Sequence, residues 1–197
     1  MSNLPSMGSI SDEDLIVIYD GGVMVENETI IGVGKFHEIK KHCNNIHEID
    51  FPCVLLPGFI DCHTHICYAG SRSIEYSKKN AGISYQKILS EGGGIYDTME
   101  KTRLASDEEL IKNTISRLER HFFEGVLTCE VKSGYGINFD QEIRLLKIIN
   151  EINLSHPSDV IPTCLAAHVP PNDSQTSTAE YLTLIVKELF PILRKEN

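Results

Sequence analysis

Residues 57–65 read PGFIDCHTH, and this stretch decides the fold. An apolar run, FPCVLLP (51–57), leads into a Pro-Gly break and then into D-x-H-x-H. On an extended segment, side chains two apart face the same way. The spacing therefore predicts that Asp61, His63 and His65 project together at a strand end. Two imidazoles so placed can reach one metal ion, and metal-bound histidine needs a hydrogen-bond partner to fix its tautomer. Asp61 is the candidate for that role. A bare H-x-H is weak on its own, because two ordinary polar histidines satisfy it equally well. Its position after an apolar strand and a Pro-Gly break is what gives it weight.

Upstream, residues 15–34 (LIVIYDGGVMVENETIIGVG) alternate short β-rich runs with Gly-Gly and Glu-Asn turns, a hairpin signal. Residues 35–50 are polar, and His37, His42 and His47 recur every five residues among Lys and Glu. That spacing fits neither a helical face nor a zinc cluster, so this segment reads as solvated surface. The composition shift near 51–57 divides the chain into a small, partial β module (1–56) and a main body (57–197).

Downstream, helices are expected over 83–90, 94–105, 107–123, 140–154 and 178–190, and strands over 126–131 and 159–168. Ser106 with Glu109 and Ser177 with Glu180 match the S-x-x-E capping box. Leu110, Ile111, Thr114, Ile115, Leu118 and Phe122 form one apolar stripe; Ile143, Leu146, Ile149 and Ile152 form another. Strands alternating with amphipathic helices mean an α/β fold of parallel β/α units. Asp61, His63, His65, Lys132, Tyr135 and His168 all fall at the carboxyl ends of the expected main-body strands, the active face of a β/α barrel.

Composition narrows the function. The 197 residues carry 28 acidic and 18 basic side chains, a formal charge of −10. That balance disfavours non-specific binding to nucleic acid or anionic membrane, while leaving room for a local basic contact with a small anion. No apolar run approaches the roughly 18 residues of a membrane helix. Residues 1–14 do not read as a signal peptide. Six cysteines without a C-x-x-C pair read as reduced thiols, so the expected location is cytoplasmic. EGGGI (91–95) lacks the following GK[ST] of a phosphate loop.

The segments HTHICYAGSR (63–72), ISYQKI (83–88), EGGGI (91–95), TRLAS (102–106), EVKSGYG (130–136) and HPSDVIPTCLAAHVPP (156–171) together resemble the imidazolonepropionase family of the amidohydrolase superfamily. The likeness is tight over 57–171 and loose over 15–56. It implies a metal-dependent amidohydrolase-type (β/α) barrel, of which only the first units are present, preceded by the small β-sheet module. It also implies hydrolysis of 4-imidazolone-5-propanoate to N-formimidoyl-L-glutamate in histidine degradation, with one Zn²⁺ or Fe³⁺ per site.

By the same resemblance His63 and His65 match metal ligands, while Arg72, Tyr85, Tyr135 and His168 match substrate-contacting residues. A guanidinium suits the propionate because it offers a carboxylate two parallel hydrogen bonds. The residues alone leave His168 open to a role as third metal ligand. Lys132 reads as polar pocket wall.

The family's barrel has eight strands over about 250 residues, and three main-body strands are legible here. A catalytic zinc site takes three protein ligands and an open position. Two are identified, and no catalytic acid or base is secure within the chain. The expectation is therefore an incomplete part, inactive by itself, with a missing C-terminal half or a homodimer as possible partner. The alternatives are a non-catalytic fragment or interaction module, and another small cyclic-amide hydrolase or deaminase of the superfamily.

Overall fold

The computed structural model describes Ser11, Asp14, residues 16–169 and residues 176–196. Most of the N-terminal stretch read for a targeting signal, and the Pro170-Pro171 loop, lie outside the described residues. The chain divides into two compact units, Met1–Pro57 and Gly58–Asn197.

In the first unit, β1 (Gly21–Glu26) pairs antiparallel with β2 (Thr29–Lys35). The turn residues Asn27 and Glu28 both have positive φ, 48° and 64°. That is the backbone of a tight two-residue hairpin whose twist matches the strands. The ladder shifts register between Met24 and Val25. The polar segment that follows holds a short helix, α1 (Phe36–Ile39), and a 3₁₀ turn, neither with a buried residue.

The second unit is built on a parallel three-stranded sheet in the order β3 (Phe59–Thr64), β4 (Val126–Lys132), β5 (Asp159–Thr163). The connection from β3 to β4 contains α2 (Ser73–Asn80), α3 (Tyr85–Ser90), α4 (Ile95–Leu104) and α5 (Asp107–Phe123). A single helix, α6 (Phe139–Ser155), leads from β4 to β5. Past β5, α7 (Thr178–Leu184) continues through a π-helical stretch, Ile185–Leu189, into α8 (Phe190–Glu196). The Phe190 N–H reaches the Ile185 carbonyl, five residues back, and Pro191 follows with no N–H to give.

The core lies between the sheet and helices α5 and α6. Leu110, Leu118, Cys129, Val131, Leu145, Ile148, Ile149, Ile152 and Val160 are buried in one cluster. The α5 stripe packs as its periodicity predicts, with Leu110, Thr114 and Leu118 buried and Ile111 and Ile115 partly so. The capping at Ser106 is one-sided: its hydroxyl accepts the Glu109 N–H. At Ser177 the box is complete, with the Glu180 carboxylate also accepting the Ser177 N–H.

Three expectations need correction. Helix α2 was not expected, because it buries no residue and so carries no apolar stripe. Strand β5 ends at Thr163 rather than running to residue 168. Just beyond it the Leu165 N–H donates to the Ser133 hydroxyl, and the His168 N–H closes a turn onto the Leu165 carbonyl.

Strand β3 is not regular. Asp61 pairs with Cys129 but Thr64 pairs with Val131, so three residues of β3 oppose two of β4. The extra residue is a bulge, and it breaks the two-residue alternation. Asp61 does not project with the histidines. Its Oδ2 lies 3.7 Å from His121 Nδ1 on α5.

Candidate active site

At the bulge in β3 the Asp61 carboxylate turns back, accepting the His63 N–H through Oδ1 at 3.2 Å and facing His121 through Oδ2, while the rings of His63 and His65 come together. The two rings meet edge to face with centroids 5.4 Å apart. His65 also stacks on His168 at 4.9 Å and tilts against Tyr135 at 5.9 Å. Three separate segments thus converge: the end of β3, the loop after β4 and the turn after β5. His63 and His168 are exposed and His65 is half-buried. Burial, then the neighbouring His168, His63 and Lys132, hold the His65 pKa below the ordinary histidine value, with Glu130 opposing. A neutral imidazole is the form that offers a lone pair.

Tyr135 is presented by the loop 133–136. Glu142, fully buried on the first turn of α6, holds that loop from beneath. Its Oε2 accepts the Gly134 N–H at 2.9 Å and its Oε1 accepts the Gly136 N–H at 2.7 Å. Gly134 has φ +103°, and a Cβ there would lie 3.2 Å from His168 Cβ. At Gly136 a Cβ would lie 2.6 Å from the Glu142 backbone nitrogen. Both glycines are therefore required by the way the loop passes under His168 and over α6. Burial raises the Tyr135 pKa, and nearby Tyr68 adds to this against the pull of Arg72 and Arg117. The phenol stays protonated and available as a donor.

Arg72 immediately precedes α2. Its Nε donates to Glu75 Oε2 at 2.8 Å, and the Tyr85 hydroxyl lies beside the guanidinium. Glu75 Oε1 accepts the Gly94 N–H at 2.7 Å. Arg72 and Tyr85 thus form one cluster with the glycine turn, while His63, His65, Tyr135 and His168 form another. Arg72 is close enough to Tyr135 to influence its ionisation.

Sequence reasoning missed four supporting side chains. Arg117 on α5 donates from Nη1 to the carbonyls of Ile66 (2.7 Å) and Tyr68 (2.8 Å), with its guanidinium 3.7 Å from the Tyr68 ring centroid. It fixes the segment that links His65 to Arg72. Glu130 pairs with Lys132 and accepts the Thr163 hydroxyl at 2.7 Å, bridging β4 and β5 beside the histidines. Glu75 and Glu142 complete the set. Only Glu142 left a sequence signal: an acid inside the apolar face of α6.

The chemistry of the donor set suits a metal. His65 Nδ1 is buried without a hydrogen-bond partner, and a second imidazole stands beside it. Two imidazoles are fewer than the three protein ligands of a catalytic zinc site. Among the described residues no group of three or more His, Cys, Asp or Glu side chains is disposed to hold a metal ion.

No family model matches the chain. Curated relatives do. The imidazolonepropionase of Chloroflexus aggregans is 39% identical over 182 residues, covering 92% of this chain and 43% of the relative. That of Geobacillus kaustophilus is 37% identical over 183 residues, covering 90% of this chain and 43% of the relative. That of Streptococcus gordonii is 43% identical over 144 residues, covering 73% and 34%. The chain therefore spans less than half the length of the relatives it matches. It is a homologue of the imidazolonepropionases and corresponds to a part of them.

Proposed function

We propose that this chain forms the substrate-holding part of an imidazolone-ring hydrolase, which opens 4-imidazolone-5-propanoate to N-formimidoyl-L-glutamate. The observation that carries the reading is the convergence of His63, His65, Tyr135 and His168 at the carboxyl ends of three parallel strands. That is the face on which β/α barrels place their chemistry. In this reading β3, β4 and β5 are the first strands of a (β/α)₈ barrel. Residues 57–197 are its N-terminal part, and residues 1–56 are a partial β module.

His63 and His65 would hold one zinc or ferric ion, which when bound supplies Lewis acidity and a source of hydroxide near neutral pH. Arg72 binds the propionate through its terminal amino groups. Tyr85 borders that end of the substrate. Tyr135, kept protonated by burial, donates a hydrogen bond to the ring. His168 stacks against His65 and closes the ring pocket. The free cysteines accord with a reducing cytoplasm. Among the described residues no helix is long and apolar enough to cross a membrane.

Two imidazoles are short of the three ligands a catalytic zinc site uses. The isolated 197-residue chain is therefore expected to show negligible ring opening, and the activity to belong to an assembly with the remaining portion or with a second subunit. The test is turnover of 4-imidazolone-5-propanoate by the purified chain. Turnover that a chelator and His63→Ala both abolish would overturn the claim of incompleteness.

A further inference from the structure

We propose that Glu75 is a positioning residue that sets the orientation of Arg72 and so makes the Arg72–Tyr85 cluster selective for a carboxylate. The inference rests on the reading of Arg72 as the propionate contact. Glu75 itself touches no substrate in this arrangement. Its side chain is only 15% exposed, although it sits on a helix that buries no residue.

Each carboxylate oxygen has its own task. Oε2 accepts from Arg72 Nε, and Oε1 accepts the Gly94 N–H. The Gly94 amide belongs to the turn that starts α4, whose Thr98, Met99 and Thr102 are buried. Glu75 therefore ties the guanidinium to a fixed point outside its own helix. The choice of Nε matters. A carboxylate that takes Nε leaves the terminal amino groups, which make the parallel pair of bonds to a substrate carboxylate, with no competing charge and only the Tyr85 hydroxyl beside them. A carboxylate on the terminal groups would instead compete with the substrate. The Tyr85 hydroxyl oxygen accepts from the same guanidinium, which leaves its own O–H as an uncharged donor at the rim.

This arrangement predicts that Glu75 acts on the charged tail and not on the ring. The probes are 3-(imidazol-4-yl)propanoate and its neutral amide, titrated calorimetrically into the 197-residue chain and its variants. Arg72→Ala should weaken the carboxylate probe while leaving the amide unchanged. Glu75→Gln can keep one of the two acceptor bonds but not both, and should weaken the carboxylate probe roughly tenfold, again sparing the amide. Glu75→Ala should do at least as much. In the free chain the Arg72 Nε–H proton should be observable by NMR at neutral pH and protected from exchange, and Glu75→Ala should abolish that protection. If Arg72→Ala weakens the carboxylate probe but Glu75→Gln and Glu75→Ala do not, Glu75 has no positioning role and the reading of Arg72 stands. If the wild-type chain shows no preference for the carboxylate, or Arg72→Ala leaves it intact, both claims fall. Equal weakening of the amide would reduce Glu75 to a structural residue.

Discussion

Glu142 brackets Tyr135: the amides on either side of the tyrosine, those of Gly134 and Gly136, each donate to a different oxygen of the one buried carboxylate. The relationship ties the core to the candidate site. A helix whose other buried residues are Leu145, Leu146, Ile148, Ile149 and Ile152 spends one inward position on an acid. That acid has no role in core packing that leucine could not fill. It holds the loop that presents a phenol to the histidines.

Removing the bracket should loosen the loop before it unfolds the chain. Glu142→Ala leaves two buried N–H groups without partners and is expected to cost about 3 kcal/mol. Urea unfolding gives the magnitude, and hydrogen exchange at Gly134 and Gly136 gives the location. Unchanged exchange at both amides would show that the loop is held by something else.

The glycines of that loop should be irreplaceable for a steric reason. Gly136→Ala puts a Cβ 2.6 Å from a backbone nitrogen of α6, which no side-chain rotation relieves. A loss of about 2 kcal/mol or more in stability is expected. Gly125→Ala, at φ +89° but with nearest contacts only at 3.4 Å, should suffer less and serves as the comparison. An equal loss at both positions would mean that the close approach at Gly136 costs no more than the left-handed backbone at Gly125.

Arg117 should prove more than a surface charge. It makes two bonds to carbonyls of the segment between His65 and Arg72 and covers the Tyr68 ring. Arg117→Ala is expected to destabilise by about 2 kcal/mol. Arg117→Lys should recover less than half of this, because an ammonium lacks the planar fork. Full recovery by lysine would indicate that only charge matters there.

The cysteines should separate by reactivity. Cys67 is fully buried, and burial pushes its thiol up to about 11. Alkylation needs the thiolate. At pH 8 the folded chain should therefore label at the exposed Cys53 and Cys62 but not at Cys67. Denaturant should expose Cys67 to labelling, as read by peptide mass spectrometry. Rapid labelling of Cys67 in the folded chain would contradict its place in the core. A thiol whose folded pKa is raised disfavours the thiolate in the native state, so its contribution to stability declines as pH rises from 9 toward 11.

What the sequence disclosed and what it hid follow a physical division. Helices α5 and α6 were legible because a 3.6-residue apolar period is a strong local signal, and their caps at Ser106 and Asn138 fall where those patterns begin. Helix α2 was invisible because it buries nothing. The alternation rule placed Asp61 beside His63 and His65, and the bulge reversed it, since register depends on a partner strand far off in the chain. The site residues His63, His65, Tyr135 and His168 were picked out by motif, and the sheet brings them together. Of the residues that hold them, Glu142 showed only as an acid inside the apolar face of α6, while Glu75 and Arg117 were silent because they act through a backbone amide, carbonyls or another side chain that no spacing rule anticipates.

Reconstitution tests the central claim most directly. The 197-residue chain would be co-expressed with the portion of the Chloroflexus aggregans imidazolonepropionase that it does not cover, purified as a complex and loaded with zinc or iron. Opening of 4-imidazolone-5-propanoate would be followed by loss of substrate absorbance and by formation of N-formimidoyl-L-glutamate. The account predicts turnover by the complex, none by either part, and loss of both bound metal and turnover in His63→Ala and His65→Ala. A soluble, metal-loaded complex that leaves the imidazolone ring closed would contradict it.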